Sequence, residues 1–395
     1  MRSSRPAHHR PGSRAALALV AVLTLLFTAA CTGSDADSPE SGVSQAQITV
    51  TPAGGARVGA DAVVRVATSE GHLEQVEVVA RSGARAAGTL SSDGRTWTSD
   101  DGKLLAFGTR YTVNASAVDD EGRPTTTTTT FRVRETKEMK AFLSPANGRK
   151  VGVGMPVIAK LSASAKDRAQ VERLMSVRTS KPVTGAWHWF SDTELHWRPR
   201  EFWPANTKVT VTAALDGVKF GKDVYGSHTT VARFRTGDAM ISTVDVANHE
   251  MTVTRNGKKL RTIPITTGNA SFPTRAGIKV LVTRERTRVM DSLTVDIPAG
   301  SADAYRIKVD YAMRLTWSGE FIHAAPWSVR SQGRANVSHG CTGMSTADAQ
   351  WLFQNSRIGD VVKYINADRP MEQGNGYTDW NLPWKTWLAG SALST

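Results

Sequence analysis

Two cysteines occur in the 395-residue chain, Cys31 and Cys341, and the second stands in NVSHGCTGMS, a run from Asn336 to Ser345 with almost no large side chains. A thiol between a His-Gly pair and a Thr-Gly pair is a constellation for nucleophilic acyl transfer. Such chemistry has three requirements. The thiol must ionise near neutral pH, which an adjacent imidazole promotes. The base must be held in one tautomer by a further acceptor. Backbone N–H groups must face the oxyanion that develops on the substrate carbonyl. Gly340 and Gly343 permit a tight backbone, in which the N–H groups of Gly340, Cys341 and Thr342 would line a small concavity. The segment STADAQWLFQNSR then reads as a helix, capped by Ser345 or Thr346, with Ala349, Leu352 and Phe353 on one face. Its positive end would lie near the developing charge. Two imidazoles are candidates for the base: His339, two positions before the thiol, and His323, eighteen before it, in the strand-like run GEFIHAAPW. For any single cysteine the competing assignment is a buried, inert side chain. A zinc site on His339 and Cys341 would lack its third and fourth ligands, so no metal and no cofactor is expected.

The N-terminus says where this chemistry would operate. Net charge is +13 with an isoelectric point near 9.9, and 40% of residues are hydrophobic against 22% charged, a globular composition with a basic surface. Such a surface suits a polyanionic neighbour: nucleic acid, anionic lipid or an anionic cell-wall polymer. Arg2, Arg5, Arg10 and Arg14 precede an uncharged apolar run from Ala15 to Ala30. Its 16 residues fall short of the roughly 20 that span a bilayer as a helix. Residues 1–30 read as a secretory signal peptide, and FTAAC resembles the lipobox of bacterial lipoproteins, in which the cysteine, here Cys31, is lipid-modified and becomes the N-terminus. A plain secretion signal and an uncleaved anchor are the competing readings. Each puts the body of the protein outside the cytoplasmic membrane and excludes nucleic acid as a partner. With Cys31 lipidated, Cys341 has no intrachain disulfide partner, and an exported free thiol calls for a reason to exist.

Beyond a polar tether at 31–45 the chain is strand-rich, and about 100–200 residues per domain allows two to four domains. TPAGGARVG at Thr51 aligns with SPANGRKVG at Ser144, YTVNASA at Tyr111 with VTVTAAL at Val209, and TTTTFRV near Phe131 with TTVARFRTG near Phe234. Two copies of one unit follow, at 46–140 and 141–237, each of a size that fits an immunoglobulin-like β-sandwich. The second carries a helical insertion, DRAQVERLMSV, opened by an Asp that can cap it. The threonine run Thr125–Thr130 reads as a strand rather than a linker, because it leads straight into Phe131-Arg132-Val133. GAWHWFSDTELHWRPREFW reads as a hairpin whose alternate tryptophans, Trp187, Trp189 and Trp197, are packing residues; His188 and His196 on it have no set of metal ligands beside them. A third unit at 238–366 opens with a hairpin turning at Asn256-Gly257. The tail at 367–395 carries Trp380, Trp384 and Trp387 and is expected to dock on the third unit as a buried strap.

His323, a spacer, and then SHGC together resemble the signature of bacterial cell-wall L,D-transpeptidases. VMDSLTVDIP, GEFIHAAPWS, SHGCTGMSTADAQWLF, GDVV and DWNLPW, in that order, look like the mycobacterial and actinobacterial members, which carry two immunoglobulin-like domains ahead of the catalytic one. The resemblance implies a mainly β architecture of two sandwiches, a β-rich catalytic domain with a short helix after the cysteine, and the aromatic tail packed on it. It implies that Cys341 attacks the L,D amide between the diamino acid and the terminal D-alanine of a peptidoglycan tetrapeptide stem. D-Alanine leaves, and a side-chain amine of a neighbouring stem resolves the thioester into a 3→3 cross-link. His323 becomes the base, oriented by the backbone carbonyl of Ala324. Ser338 and His339 shape the loop, Met290 lies in a lid over the donor site, and Trp327 and Tyr311 wall the cleft, although core packing competes for these last three. The chain departs from the pattern twice. Gly343 stands where the family has Asn, and Trp317 where a tyrosine often contacts the donor. Resolution of the same acyl-enzyme by water, an L,D-carboxypeptidase, and a non-catalytic wall-binding lipoprotein are the rival functions.

Overall fold

The computed structural model describes residues 42–393 apart from Asp296; Cys31, the signal peptide and most of the tether lie outside the described residues. Among the described residues, no helix is long and apolar enough to cross a membrane.

The two copies share one topology. In the first, one sheet orders Ile48–Thr51, Arg65–Thr68, Thr96–Ser99 and Gly88–Leu90. Its partner sheet orders Arg57–Val58, Pro124–Val133, Arg110–Val118 and His72–Ala80. The second copy repeats this position for position. Ala141–Ser144, Val157–Leu161, Glu194–Pro199 and Gly185–Ser191 form one sheet, and Lys150–Val151, Thr229–Thr236, Lys208–Ala214 and Met175–Thr179 the other. The threonine run is a strand, paired antiparallel with Arg110–Val118, and it delivers Phe131 onto Tyr111 with ring centres 5.4 Å apart. The insertion is the helix Arg168–Arg173, whose Asp167 side chain accepts the Gln170 N–H at 2.9 Å. Between the sandwiches, Tyr225 reaches into the core of the first, its hydroxyl donating to Asp61 at 2.6 Å.

On the hairpin Gly185–Pro199, alternation turns Trp187, Trp189 and Trp197 into the sandwich core, where Trp203 joins them. The opposite face shows His188, Phe190, His196 and Arg198, and this face receives the tail. The tail's tryptophans therefore dock on the second sandwich, where the sequence had them on the third unit, while Arg369–Pro370 and Tyr377 of the tail do meet the third unit. The Trp380 and Trp387 indole N–H groups donate to Gly154 O at 2.7 Å and Ala186 O at 2.9 Å, and the Arg198 guanidinium lies within 5.2 Å of the Trp380, Trp384 and Trp387 ring centres. A buried indole needs an acceptor and a guanidinium favours an aromatic face; the hairpin supplies both. The third unit holds the start of the tail by polar bonds, with the Asn381 side chain bonded to both backbone groups of Ile278.

The third unit comprises a six-stranded sheet and a four-stranded one. The larger orders Lys258–Pro264, Glu250–Arg255, Met240–Asp245, Val361–Ile365, Arg275–Val280 and Arg369–Pro370. Its first hairpin turns through Asn256 and Gly257 at φ 50° and 80°, as a type I′ turn requires. The smaller sheet orders Thr283–Asp291, Arg306–Arg314, Phe321–Ala324 and Thr342–Met344. The helix Thr346–Asn355 packs on this sheet through Ala349 and Leu352, with Ser345 Oγ accepting the Asp348 N–H at 3.1 Å.

Candidate active site

The strands Phe321–Ala324 and Thr342–Met344 run parallel, with His323 opposite Gly343. Cys341 precedes Gly343 by two residues, so the pleat puts its side chain on the face that carries His323. Both line a cavity of about 320 Å³, together with Met290, Tyr305, Trp327 and His339.

His323 is buried, and its Nδ1 lies 2.8 Å from Ala324 O. A carbonyl oxygen can only accept, so Nδ1 carries the proton and Nε2 keeps its lone pair. Burial pulls the imidazole pKa below its ordinary 6.5 and keeps the ring neutral. Trp327, 60% exposed at the cavity mouth, stacks over it with ring centres 5.9 Å apart.

The thiol of Cys341 donates to Gly319 O at 3.6 Å. Burial pushes its pKa up to about 12, against the pull of the Phe321 N–H, while Glu320 adds to the rise and Lys279 opposes it. Both groups thus rest neutral, the thiol protonated and the imidazole uncharged.

The loop around the thiol is tied down by side chains. Ser338 Oγ donates to Cys341 O at 2.6 Å and accepts the Gly340 N–H at 3.1 Å, and Thr274 Oγ1 donates to Gly340 O at 2.8 Å. Gly340 takes φ +113°, open to glycine alone at low cost. Its N–H is spent on Ser338, and that of Thr342 on the parallel ladder to Phe321–Ala324, since Gly343 between Thr342 and Met344 bonds Thr266 instead; of the three donors expected at the oxyanion, that of Cys341 stays as a candidate. The helix dipole also falls away as a contributor. Three extended residues, Thr342–Met344, separate Cys341 from the cap Ser345, four steps or about 13 Å of chain, and dipole effects fade within one turn.

His339 lies between Phe272 and Tyr305, at 4.6 and 5.0 Å between ring centres, and helps wall the cavity. Two residues expected at the cleft are elsewhere. Tyr311 takes φ +56° and turns into the core, against Phe353 and beneath the Arg286 guanidinium. Trp317, 48% exposed, packs edge-on against Tyr377 and borders a different cavity, beside Phe190 and His196. Gly343 has no room for a side chain: a Cβ there would come within 2.9 Å of Ala325 Cβ and 3.1 Å of Thr266 Cγ2.

Sequence reasoning missed Thr266 and Tyr305. Thr266 pairs its N–H and C=O with those of Gly343, and its hydroxyl bonds Ala335 O and the Val337 N–H. It sits in a loop with no pattern to single it out. Tyr305 stands just ahead of the alternating run RIKVDYAM, where an aromatic at a strand entrance was the available signal.

The chain is similar to known proteins along most of its length. A family model described as the L,D-transpeptidase catalytic domain matches residues 239–363, and one described as a bacterial Ig domain matches residues 55–219. The chain is 36% identical to L,D-transpeptidase 2 of Mycobacterium tuberculosis over 340 residues, 86% of this chain and 83% of that protein. It is 40% identical over 225 residues to L,D-transpeptidase 1 of the same organism, covering 57% of this chain and 84% of the relative. A solved LD transpeptidase in complex with imipenem superposes with a TM-score of 0.51 at 40% identity, over 58% of this chain and 99% of that one. Since the likeness to the first relative runs through the sandwiches and the catalytic unit alike, the chain belongs to the L,D-transpeptidase family.

Proposed function

We propose that Cys341 is the nucleophile of a peptidoglycan cross-linking reaction and His323 its acid–base partner. The observation that carries this reading is the Nδ1–H bond to Ala324 O, which leaves an unprotonated Nε2 in the cavity that also holds the sulfur. Nε2 takes the thiol proton as Sγ attacks the L,D amide between the diamino acid and the terminal D-alanine of a tetrapeptide stem. The N–H group of Cys341 stabilises the oxyanion. The imidazolium then protonates the departing D-alanine amine, leaving a thioester. The side-chain amine of a second stem attacks it, His323 takes one amine proton, and the proton returns to sulfur as the 3→3 amide forms. No cofactor takes part.

Met290, Trp327, Ser338 and His339 fit around the donor stem, by their places in or beside the cavity. Residues 46–140 and 141–237 serve as spacers, 238–366 as the catalytic domain and 367–395 as the strap. The arginine-led apolar segment and FTAAC support a lipoprotein held by Cys31 on the outer face of the cell membrane. The basic body favours anionic wall polymers nearby.

The test is mass spectrometry of purified tetrapeptide stems incubated with wild type and Cys341→Ala. Dimers with loss of D-alanine are expected from the wild type alone. Tripeptides without dimers would make the protein a carboxypeptidase, and dimers from Cys341→Ala would end the nucleophile assignment. Because a relative is solved in complex with imipenem, the same thiol is expected to take up that compound's mass on the intact protein.

A further inference from the structure

Acyl transfer by Cys341 and His323 leaves unused a pair of charges buried behind the sulfur. The Lys279 side chain has no exposed surface, and its ammonium donates to Glu320 Oε2 and lies 3.7 Å from the centre of the Tyr364 ring. The other Glu320 oxygen accepts the Arg275 backbone N–H at 3.0 Å and its Nη1 at 3.1 Å. Neither Lys279, Glu320 nor Tyr364 lines the cavity where substrate would sit. A buried ion pair is a poor source of stability, because desolvation consumes much of the attraction; similar apolar shapes often replace it at no loss.

Both ends of the pair abut the nucleophile. Gly319, next to Glu320, supplies the carbonyl that accepts the thiol at 3.6 Å. The Tyr364 hydroxyl shares a 2.7 Å hydrogen bond with Thr342 Oγ1, one residue after Cys341. The contacts close a ring from the sulfur through Gly319, Glu320, Lys279, Tyr364 and Thr342 back to Cys341. We propose that Lys279, acting through Glu320 on one side and Tyr364 on the other, is a positioning residue that fixes the Gly319 carbonyl and the Cys341 main chain around Sγ for acyl transfer. This rests on Cys341 being the nucleophile.

The experiment follows imipenem acylation of the full chain by stopped flow and intact mass, separating the maximal rate from the half-saturating concentration. Lys279→Met/Glu320→Gln removes both charges and keeps the shapes; Tyr364→Phe removes one hydroxyl. The double variant, with Arg275 still paired to Glu372, is expected to stay folded, yet to acylate at least tenfold more slowly with half-saturation changed by less than twofold. Tyr364→Phe is expected to slow acylation several-fold in the same way. A folded double variant with the wild-type maximal rate would overturn the proposal. Should the double variant fail to fold, a wild-type rate in Tyr364→Phe overturns it equally. An unacylated wild type would instead remove the nucleophile assignment, which separates the two failures.

Discussion

At the scale of residues, the meeting of Cys341 and His323 at one cavity was legible because the motif states both side chains and the spacing between them. Their protonation was not, since it depends on how much water the fold removes from each. Burial lowers the imidazole pKa and pushes the thiol up to about 12, so both groups rest neutral. Titration of absorbance at 240 nm, wild type against Cys341→Ala, is therefore expected to show no thiolate step near pH 7, only one in the strongly alkaline range. A base must be neutral to accept a proton, and the fold favours neutral His323 to below pH 6.5. The acylation rate should accordingly hold level as pH falls to 6.5 and decline only beneath it. His323→Ala should lower that rate by a factor on the order of 10²–10⁴, the usual contribution of a positioned base, with the melting temperature measured alongside. A thiolate step near neutrality would place the proton on the imidazole at rest.

At the scale of elements, the long alternating strands and the capped helix could be read directly, because periodicity and caps are local. The strand Thr342–Met344 could not: three residues hold no period, and its pairing depends on Phe321–Ala324, eighteen or more positions away. Missing it moved the helix dipole too close to the sulfur. Tyr311 was misplaced for a related reason, since φ +56° breaks the alternation that would have aimed its ring at the cleft. The same short strand explains why a glycine fits at position 343. Thr266 pairs with it on one side while Ala325 closes over it, and a Cβ would sit 2.9 Å from Ala325 Cβ. Gly343→Ala is expected to cost about 1–3 kcal/mol, the range for overpacking, read as a lower urea midpoint at unchanged slope. Acylation should slow as well, because Gly343 lies two residues from the sulfur. The substitution Gly343→Ala/Ala325→Gly opens the space again and should recover part of both losses. If Gly343→Ala leaves stability and rate alone, steric closure is not what keeps a glycine there.

At the scale of the whole molecule, the internal repeat announced two sandwiches of one topology, while the destination of the tail was hidden. Its tryptophans carry no sign of which surface they meet. The answer lay in the outward face of the hairpin, His188, Phe190, His196 and Arg198, whose polar members look solvent-facing until an aromatic segment covers them. His196 is the sharpest case. Its Nδ1 is 2.7 Å from Asp379 of the tail and its Nε2 is 3.0 Å from Glu194. Burial alone would lower its pKa, but the two carboxylates outweigh that and hold the imidazolium up to about 9. A pKa raised on folding from 6.5 to about 9 means that the native state holds the proton more tightly than the unfolded chain. The stabilisation is complete below pH 6.5 and drains away as pH climbs through 9. At about 1.4 kcal/mol for each tenfold change, it amounts to about 3 kcal/mol at most. Urea unfolding of wild type is thus expected to lose stability between pH 6.5 and 9.5, and the tail to become a target for limited proteolysis toward the alkaline end. His196→Gln keeps two polar contacts without a charge, so it should start less stable at pH 6 and change less across the same range. Parallel pH curves for the two proteins would mean that the His196 charge does not hold the strap, leaving Arg198 and the indole hydrogen bonds to do so.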